Sequence, residues 1–247
     1  LLQGLDFAYP ASPKVGGLAS GANAPGGNAL FADRRTLPRG SVVLALSGDL
    51  RVDTLVAQGC RPMGPVLHVS ECEGHMVHGL DGRPPLDVLQ EIYEEADEDE
   101  RGLLRNALFL GLATDELRPD PGAGEFLIRN VMGINPDRGA MAVAAHLRRG
   151  QTVQFHVRDR ASAAEDLQAH LAALPEQSAT RGALLFSCLG RGRHLYGEPD
   201  HDTRLFTERV GPVPLAGFFC NGEIGPVGGS SHVHGYTSAF GLFRPRG

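Results

Sequence analysis

Tryptophan is absent from the chain, cysteine occurs four times, and Lys14 is the one lysine among 23 basic residues. Four thiols (Cys60, Cys72, Cys188 and Cys220) in 247 residues are too few for a secreted disulfide framework and fit a reducing compartment. No apolar run reaches the roughly 18 residues of a membrane helix and no charged-then-apolar leader opens the chain. A cytoplasmic protein without membrane contact is therefore expected. Basic charge is in deficit: the net charge is −6 and the isoelectric point near 5.9. A nucleic-acid partner is excluded on that ground, because affinity for a phosphate backbone comes from clustered cations.

What is present is an ordinary globular composition, 42% hydrophobic and 21% charged, with 33 glycines and 17 prolines but no repeat. A chain of this length buries about 70% of its unfolded surface, enough for a core without metal or disulfide. The chain opens on Leu1, in mid-pattern, and an N-terminal piece is expected to be missing.

Short apolar runs bounded by Gly, Pro and Ser predict buried strands at Val15–Ala19, Val42–Leu46 and Val66–Val69. A turn at Leu80–Pro85 leads into a helix from about Leu86 to Glu100, with Leu86, Leu89, Ile92 or Tyr93, and Ala96 on one face. Its acidic end, EEADEDE, is expected to be a solvated helix face. Strands follow at Ala107–Ala113, Glu125–Val131, Met141–Leu147 and Thr152–Val157, the last alternating polar and apolar as a half-buried strand does. A helix is predicted over Ala163–Leu174, started by a Ser162/Glu165 capping box and stopped by Pro175. Ala183–Cys188, Leu215–Cys220 and Tyr236–Phe243 are predicted strands and Thr203–Val210 a short helix. Many strands with few helices predict an α+β fold of mixed or antiparallel sheets, with a few helices packed on them and two similar halves. The halves meet near residue 113, where the Pro/Gly-rich DELRPDPGAGE reads equally as a linker or as a long hairpin loop.

Three strand ends carry candidate chemistry. In Cys220–Pro226, CNGEIGP, a strand ends in a thiol, an amide and a carboxylate and then turns on glycine, offering directional donors and acceptors where backbone can approach a ligand; Asn-Gly alone also builds a turn. In Phe186–Gly192, FSCLGRG, a second strand ends in Cys188, and Arg191 follows on a glycine-flanked loop, able to pair with a carboxylate or phosphate or to sit on the surface beside a turn. Arg129, Arg158 and Asp159 lie at further strand ends and could line the same cleft, or form an ordinary surface pair. Metal binding is weakly supported: Cys72, His75 and His78 have C-x-x-H-x-x-H spacing and His232 and His234 share a strand face, but neither group has a fourth ligand nearby. No nucleotide-binding glycine loop, GxSxG or HExxH occurs. No cofactor is called for.

Taken together and in order, LLQGLDFAYPASPKVGGLASG, QGCRPMGPVLHV, LDGRPPLDVLQEIYEE, FLIRNVMGINP, GQTVQFHVRDR, GALLFSCLGRGRHLYGEPDHD and GFFCNGEIGPVGG resemble the FIST family (F-box and intracellular signal transduction proteins), of bacterial type. The resemblance covers nearly the whole chain. It implies an N-terminal FIST domain over residues 1–113, truncated at its start. The remainder, 114–247, completes that part and carries the C-terminal FIST domain from about residue 140. It implies a sensory module for a small ligand such as an amino acid or related metabolite, with a signalling protein as a further partner. Eukaryotic members accompany an F-box; this sequence has no such helical segment. No catalytic residues carry over. Arg129, Arg158, Asp159, Cys188, Arg191, Cys220, Asn221 and Glu223 match the family's recognisable stretches and are the candidate ligand-binding residues. The arginines are expected to hold an anionic group, Glu223 and Asp159 an ammonium or donor, Asn221 the orientation, and the two cysteines a soft wall. An adaptor-like protein-interaction module and a thiol-dependent enzyme are the alternatives; the latter needs a cysteine beside a base that a third group orients.

Overall fold

The computed structural model describes residues 1–247 except 25, 116, 117, 119, 120, 123, 175–179 and 247. Its fold is α+β with antiparallel and mixed sheets, as expected. The chain divides into two compact units: residues 1–57 together with 167–247, and residues 58–166.

The second unit is a closed barrel. Its strands are β5 (Arg61–Glu73), β6 (Met76–Leu80), β7 (Leu108–Ala113), β8 (Phe126–Asn135), β9 (Ala140–Val143) and β10 (Thr152–Val157), in the order β10-β5-β6-β9-β8-β7, every pair antiparallel. Closure removes free sheet edges. Met63, Leu67, Val77, Leu110, Leu112, Met141, Val153 and Phe155 form its apolar core. Ala113 pairs with Phe126, so the segment read as linker or loop closes a β7–β8 hairpin; residues 116, 117, 119, 120 and 123 of it lie outside the described residues. The division expected near residue 113 falls between these paired strands.

Two expectations change here, one for electrostatic reasons and one through packing. The helix expected over 86–100 is two helices, α2 (Pro85–Glu95) and α3 (Glu98–Asn106). The break is a capping box: the Asp97 carboxylate accepts from Glu100 N–H at 2.8 Å and Glu100 accepts from Asp97 N–H at 3.3 Å. The acidic run therefore starts a helix, where negative charge is favoured, rather than ending one. Strand β10 is covered on both faces. His156 is buried, its Nδ1 3.0 Å from the Gln154 carbonyl oxygen and its ring 5.1 Å from that of Phe126. Burial pushes it down to about 4, so it is neutral at physiological pH.

In the first unit the main sheet runs β12-β11-β15-β4, with β4 at Arg51–Ala57, β11 at Gly182–Cys188, β12 at Leu215–Cys220 and β15 at Ser238–Arg244. Here β11 and β12 are parallel and the other pairs antiparallel. Leu55, Leu185, Phe240 and Leu242 face a layer of helix formed by Leu167 and Leu171 of α4 (Arg160–Ala172) and Phe206 and Val210 of α6 (His201–Val210). Burying each such side chain is worth about 1.5–3 kcal/mol. A small antiparallel sheet, β1 (Gly16–Gly17), β13 (Glu223–Val227) and β14 (Ser230–His234), covers the other face, where Gly225 approaches Val56 and Ala239. This unit has open sheet edges where the barrel has none.

The stretch after Cys220 is thus a β13–β14 hairpin rather than a turn alone. The run Val42–Leu46, expected as a buried strand, belongs to none of the described strands, and Leu44 is 80% exposed. Apolar composition marks a segment able to pair, but a strand also needs a neighbour, and none of the described strands offers it one. Helix α4 starts earlier than expected: Asp159, not Ser162, is its cap, accepting from Ser162 N–H at 2.8 Å. Pro175, expected to stop it, lies outside the described residues.

Candidate functional site

Parallel pairing in register places Cys188 opposite Cys220, both at the C-terminal ends of their strands. Ligands of parallel sheets gather at such strand ends. Register-paired residues project to the same face, and the pair Phe186 and Phe218, two positions back, meets edge-to-face at 5.4 Å. The covering sheet closes over Cys220. Gly17 lies so near that a β-carbon there would stand 2.0 Å from Cys220 Sγ, and its register partner is Glu223.

Glu223 is fully buried. Its Oε2 accepts from the Thr237 N–H at 3.1 Å, whereas Oε1 is buried with no hydrogen-bond partner among the described residues. Burial pushes this carboxyl up to about 7, against the pull of the Thr237, Glu223 and Gly222 backbone N–H groups and the Arg191 charge. The Cys220 thiol goes up to about 12, from burial first and then from Glu223 and Cys188. At neutral pH Cys220 is therefore a thiol, while Glu223 is poised between acid and carboxylate. A carboxyl whose folded value lies above its ordinary 4.5 lowers stability as pH rises through that interval, because the unfolded chain ionises first. The substitution Glu223→Gln removes this penalty. Relative to wild type it is expected to gain about 3 kcal/mol between pH 4.5 and pH 8, read from urea melts at both; equal differences at the two pH values would contradict the assignment.

Arg191 pairs with a carboxylate rather than sitting on the surface, and that carboxylate is the chain's own Asp202. Arg191 is buried, with Nε 2.7 Å and Nη2 3.1 Å from the two Asp202 oxygens, Nη2 donating also to the Tyr196 hydroxyl at 2.6 Å and Nη1 to the Tyr236 carbonyl at 3.3 Å. Asp202 further accepts from Ser238 Oγ at 2.5 Å and Ser187 Oγ at 3.4 Å, and meets His201 Nδ1 at 3.2 Å. Burial raises its pKa, but the His201 bond, the Arg191 charge and the Arg191 and Ser238 bonds outweigh that and hold Asp202 well below the usual carboxylate range. The guanidinium thus fixes the loop after Cys188. Tyr236, in the left-handed region at φ 64°, turns the chain so that its carbonyl meets Arg191 while the next N–H meets Glu223. Strain of this kind persists where surrounding contacts over-determine it.

Cys188, Arg191, Cys220, Asn221 and Glu223 thus come together in the first unit; Asn221 is exposed, its N–H donating to the Leu18 carbonyl at 3.2 Å. The other three belong to the barrel unit. Arg129, on β8, donates to the Ile128 carbonyl at 3.0 Å, and burial lowers its pKa. Arg158 is buried at the end of β10. Asp159 caps α4 and meets Arg61 at 3.3 Å, which also reaches Glu100 at 3.1 Å.

Sequence reasoning missed Asp202, whose signal lay in helical phase: Asp202, Phe206 and Val210 form the buried i, i+4, i+8 stripe of α6. Of the metal readings, His232 and His234 share a face with rings 6.1 Å apart, and His234 Nε2 lies 3.0 Å from the Gly225 carbonyl oxygen. Cys72 and His78 lie on the paired strands β5 and β6. Among the described residues no three potential metal ligands gather, and no helix is long and apolar enough to cross a membrane.

A barrel unit and a layered mixed-sheet unit, the latter with a buried thiol–carboxyl cluster at its strand ends, define a small α+β module. Residues 1–83 match the FIST N domain and residues 85–226 the FIST C domain, and the chain belongs to the FIST family, a family of signalling, sensory domains. It is 42% identical over 238 residues to an uncharacterized protein of Mycobacterium bovis, covering 95% of this chain and 61% of that protein. It is 41% identical over 245 residues to an uncharacterized protein of Mycobacterium tuberculosis, covering 98% of this chain and 64% of that one. The chain thus spans about three-fifths of the length of these bacterial relatives.

Proposed function

We propose that this chain is a cytoplasmic sensor whose first unit binds a small ligand carrying a primary ammonium, an amino acid or related metabolite, at the Cys188, Cys220 and Glu223 cluster. The supporting observation is the buried Glu223 Oε1, which has no hydrogen-bond partner among the described residues. An unpaired buried acceptor is costly, and a donor from a ligand relieves that cost. The two thiols supply a soft, polarizable wall, and Asn221 a directional amide at the rim. Arg191 holds the loop through Asp202; the proposed cluster is drawn from the first unit alone, whereas Arg129, Arg158 and Asp159 lie in the other unit. Occupancy would bias the strand-end loops, and a signalling protein would read that bias.

The test is thermal shift and native mass spectrometry of the purified protein against the free amino acids and their N-acetylated forms. Binding is expected for compounds with a free ammonium, and it should weaken at least tenfold in Glu223→Gln, the order of one lost charge-assisted bond. No shift with any compound, or equal binding by the N-acetylated forms, would remove this function.

A further inference from the structure

We infer that Cys188 and Cys220 are a redox-responsive pair, closed into an intramolecular disulfide by a hydroperoxide. The geometry comes from register. Neighbouring strands lie about 4.7–4.9 Å apart, and Cys188 and Cys220 are direct register partners on β11 and β12. That Cα separation lies inside the roughly 4.4–6.8 Å that disulfides span. Register partners on parallel strands also project to one face, so both sulfurs point the same way.

The two sulfurs differ in access, which orders the steps. Cys188 is partly exposed and Cys220 is buried. The Gly190 N–H donates to Cys188 Sγ at 3.4 Å and fixes its position. Cys188 sulfur attacks the outer peroxide oxygen; the O–O bond breaks, the thiol proton goes to the departing alkoxide or hydroxide, and a sulfenic acid and an alcohol or water result. Cys220 sulfur then attacks Cys188 sulfur. The S–O bond breaks, and the Cys220 proton leaves with the hydroxide as water. Glu223, on the covering strand and electrostatically coupled to Cys220, can carry that proton. Two sulfurs are oxidised and one peroxide is reduced. The pair stays open until a hydroperoxide makes Cys188 electrophilic, and the held neighbour Cys220 then reacts at high effective concentration.

Closure ties edge strand β12 to β11 covalently at the end nearest the site. Disulfide closure requires no bound ligand, and peptide masses read it separately from any thermal shift.

The experiment treats the native chain with a few equivalents of hydrogen peroxide, blocks free thiols, and maps peptides without reduction. A cross-linked peptide joining Cys188 to Cys220, with the intact mass lowered by two hydrogens and restored by dithiothreitol, is the expected result. It should persist in the Cys60→Ser/Cys72→Ser variant. In Cys220→Ser, Cys188 should instead accumulate as a sulfenic acid trapped by dimedone; should that variant fail to fold, the wild-type map decides alone. Over-oxidation of Cys188 with Cys220 still free, links through Cys60 or Cys72, or no oxidation at all would each overturn the pair.

Discussion

Asp202→Ala is expected to destabilise the protein by about 3–5 kcal/mol, the range for removing one partner of a buried ion pair. The loss follows from what stays behind. The Arg191 guanidinium, with a fully buried side chain, would keep its charge and lose both carboxylate oxygens, and Ser187 and Ser238 would lose their acceptor. Isothermal urea unfolding measures it, with Phe206→Ala in the same helix as the purely apolar comparison. Asp202→Asn should recover part of the loss, since the amide oxygen still accepts but the charge is gone. Replacing both partners, Arg191→Met with Asp202→Leu, should cost far less than either alone, because no charge is then stranded. The pH dependence has a definite sign. Asp202 is depressed in the fold, so its contribution is complete above the ordinary aspartate value of 3.8 and declines only as pH falls below it. A single-mutant loss under about 1 kcal/mol would show that the pair does not hold the loop after Cys188.

Much of this architecture was legible because local signals and tertiary context agree. The runs Gly182–Cys188, Leu215–Cys220 and Thr152–Val157 are strands because largely apolar, aromatic or β-branched stretches lead into a glycine-containing turn or a charge, and each finds a neighbour. The two thiol-bearing strand ends could be seen to match; their adjacency depends on a parallel crossover through α6 that no local pattern specifies. Val42–Leu46 has a similar apolar composition, yet none of the described strands pairs with it, and pairing is a property of two segments rather than one. Strand β4 pairs with β15 across nearly the length of the chain, which a sequential division into halves cannot register. Arg191 was visible as a charged residue on a glycine loop, but its partner Asp202 is hidden in HDTRLFTERV, where only the phase relative to Phe206 and Val210 marks it as buried. Glu223 was legible as a candidate, while its lone unpaired oxygen arises from the packing of two sheets.

Gly217→Ala should be the most damaging small substitution, because it meets main chain rather than a movable side chain. Gly217 sits in the middle of β12, and a β-carbon there would stand 1.7 Å from the Leu185 carbonyl oxygen and 2.7 Å from its carbon. Leu185 is the register partner on β11, so relief requires the two strands to part. Strand β12 is an edge strand whose one neighbour in its sheet is β11; outside that sheet the Ser20 hydroxyl donates to its Phe219 carbonyl. The expected cost is on the order of 3 kcal/mol or more, beyond ordinary overpacking. Because parting β12 from β11 uncovers Cys220, its labelling by iodoacetamide should rise sharply at temperatures where the wild type resists. Gly4→Ala, on α1 (Leu2–Ala8) with nothing within 4 Å of the added carbon, should leave both readouts unchanged or slightly improve stability. Unchanged Cys220 labelling in Gly217→Ala would mean that β12 accommodates the methyl without leaving its neighbour, and the close register that brings Cys188 and Cys220 together would have to be looser than described.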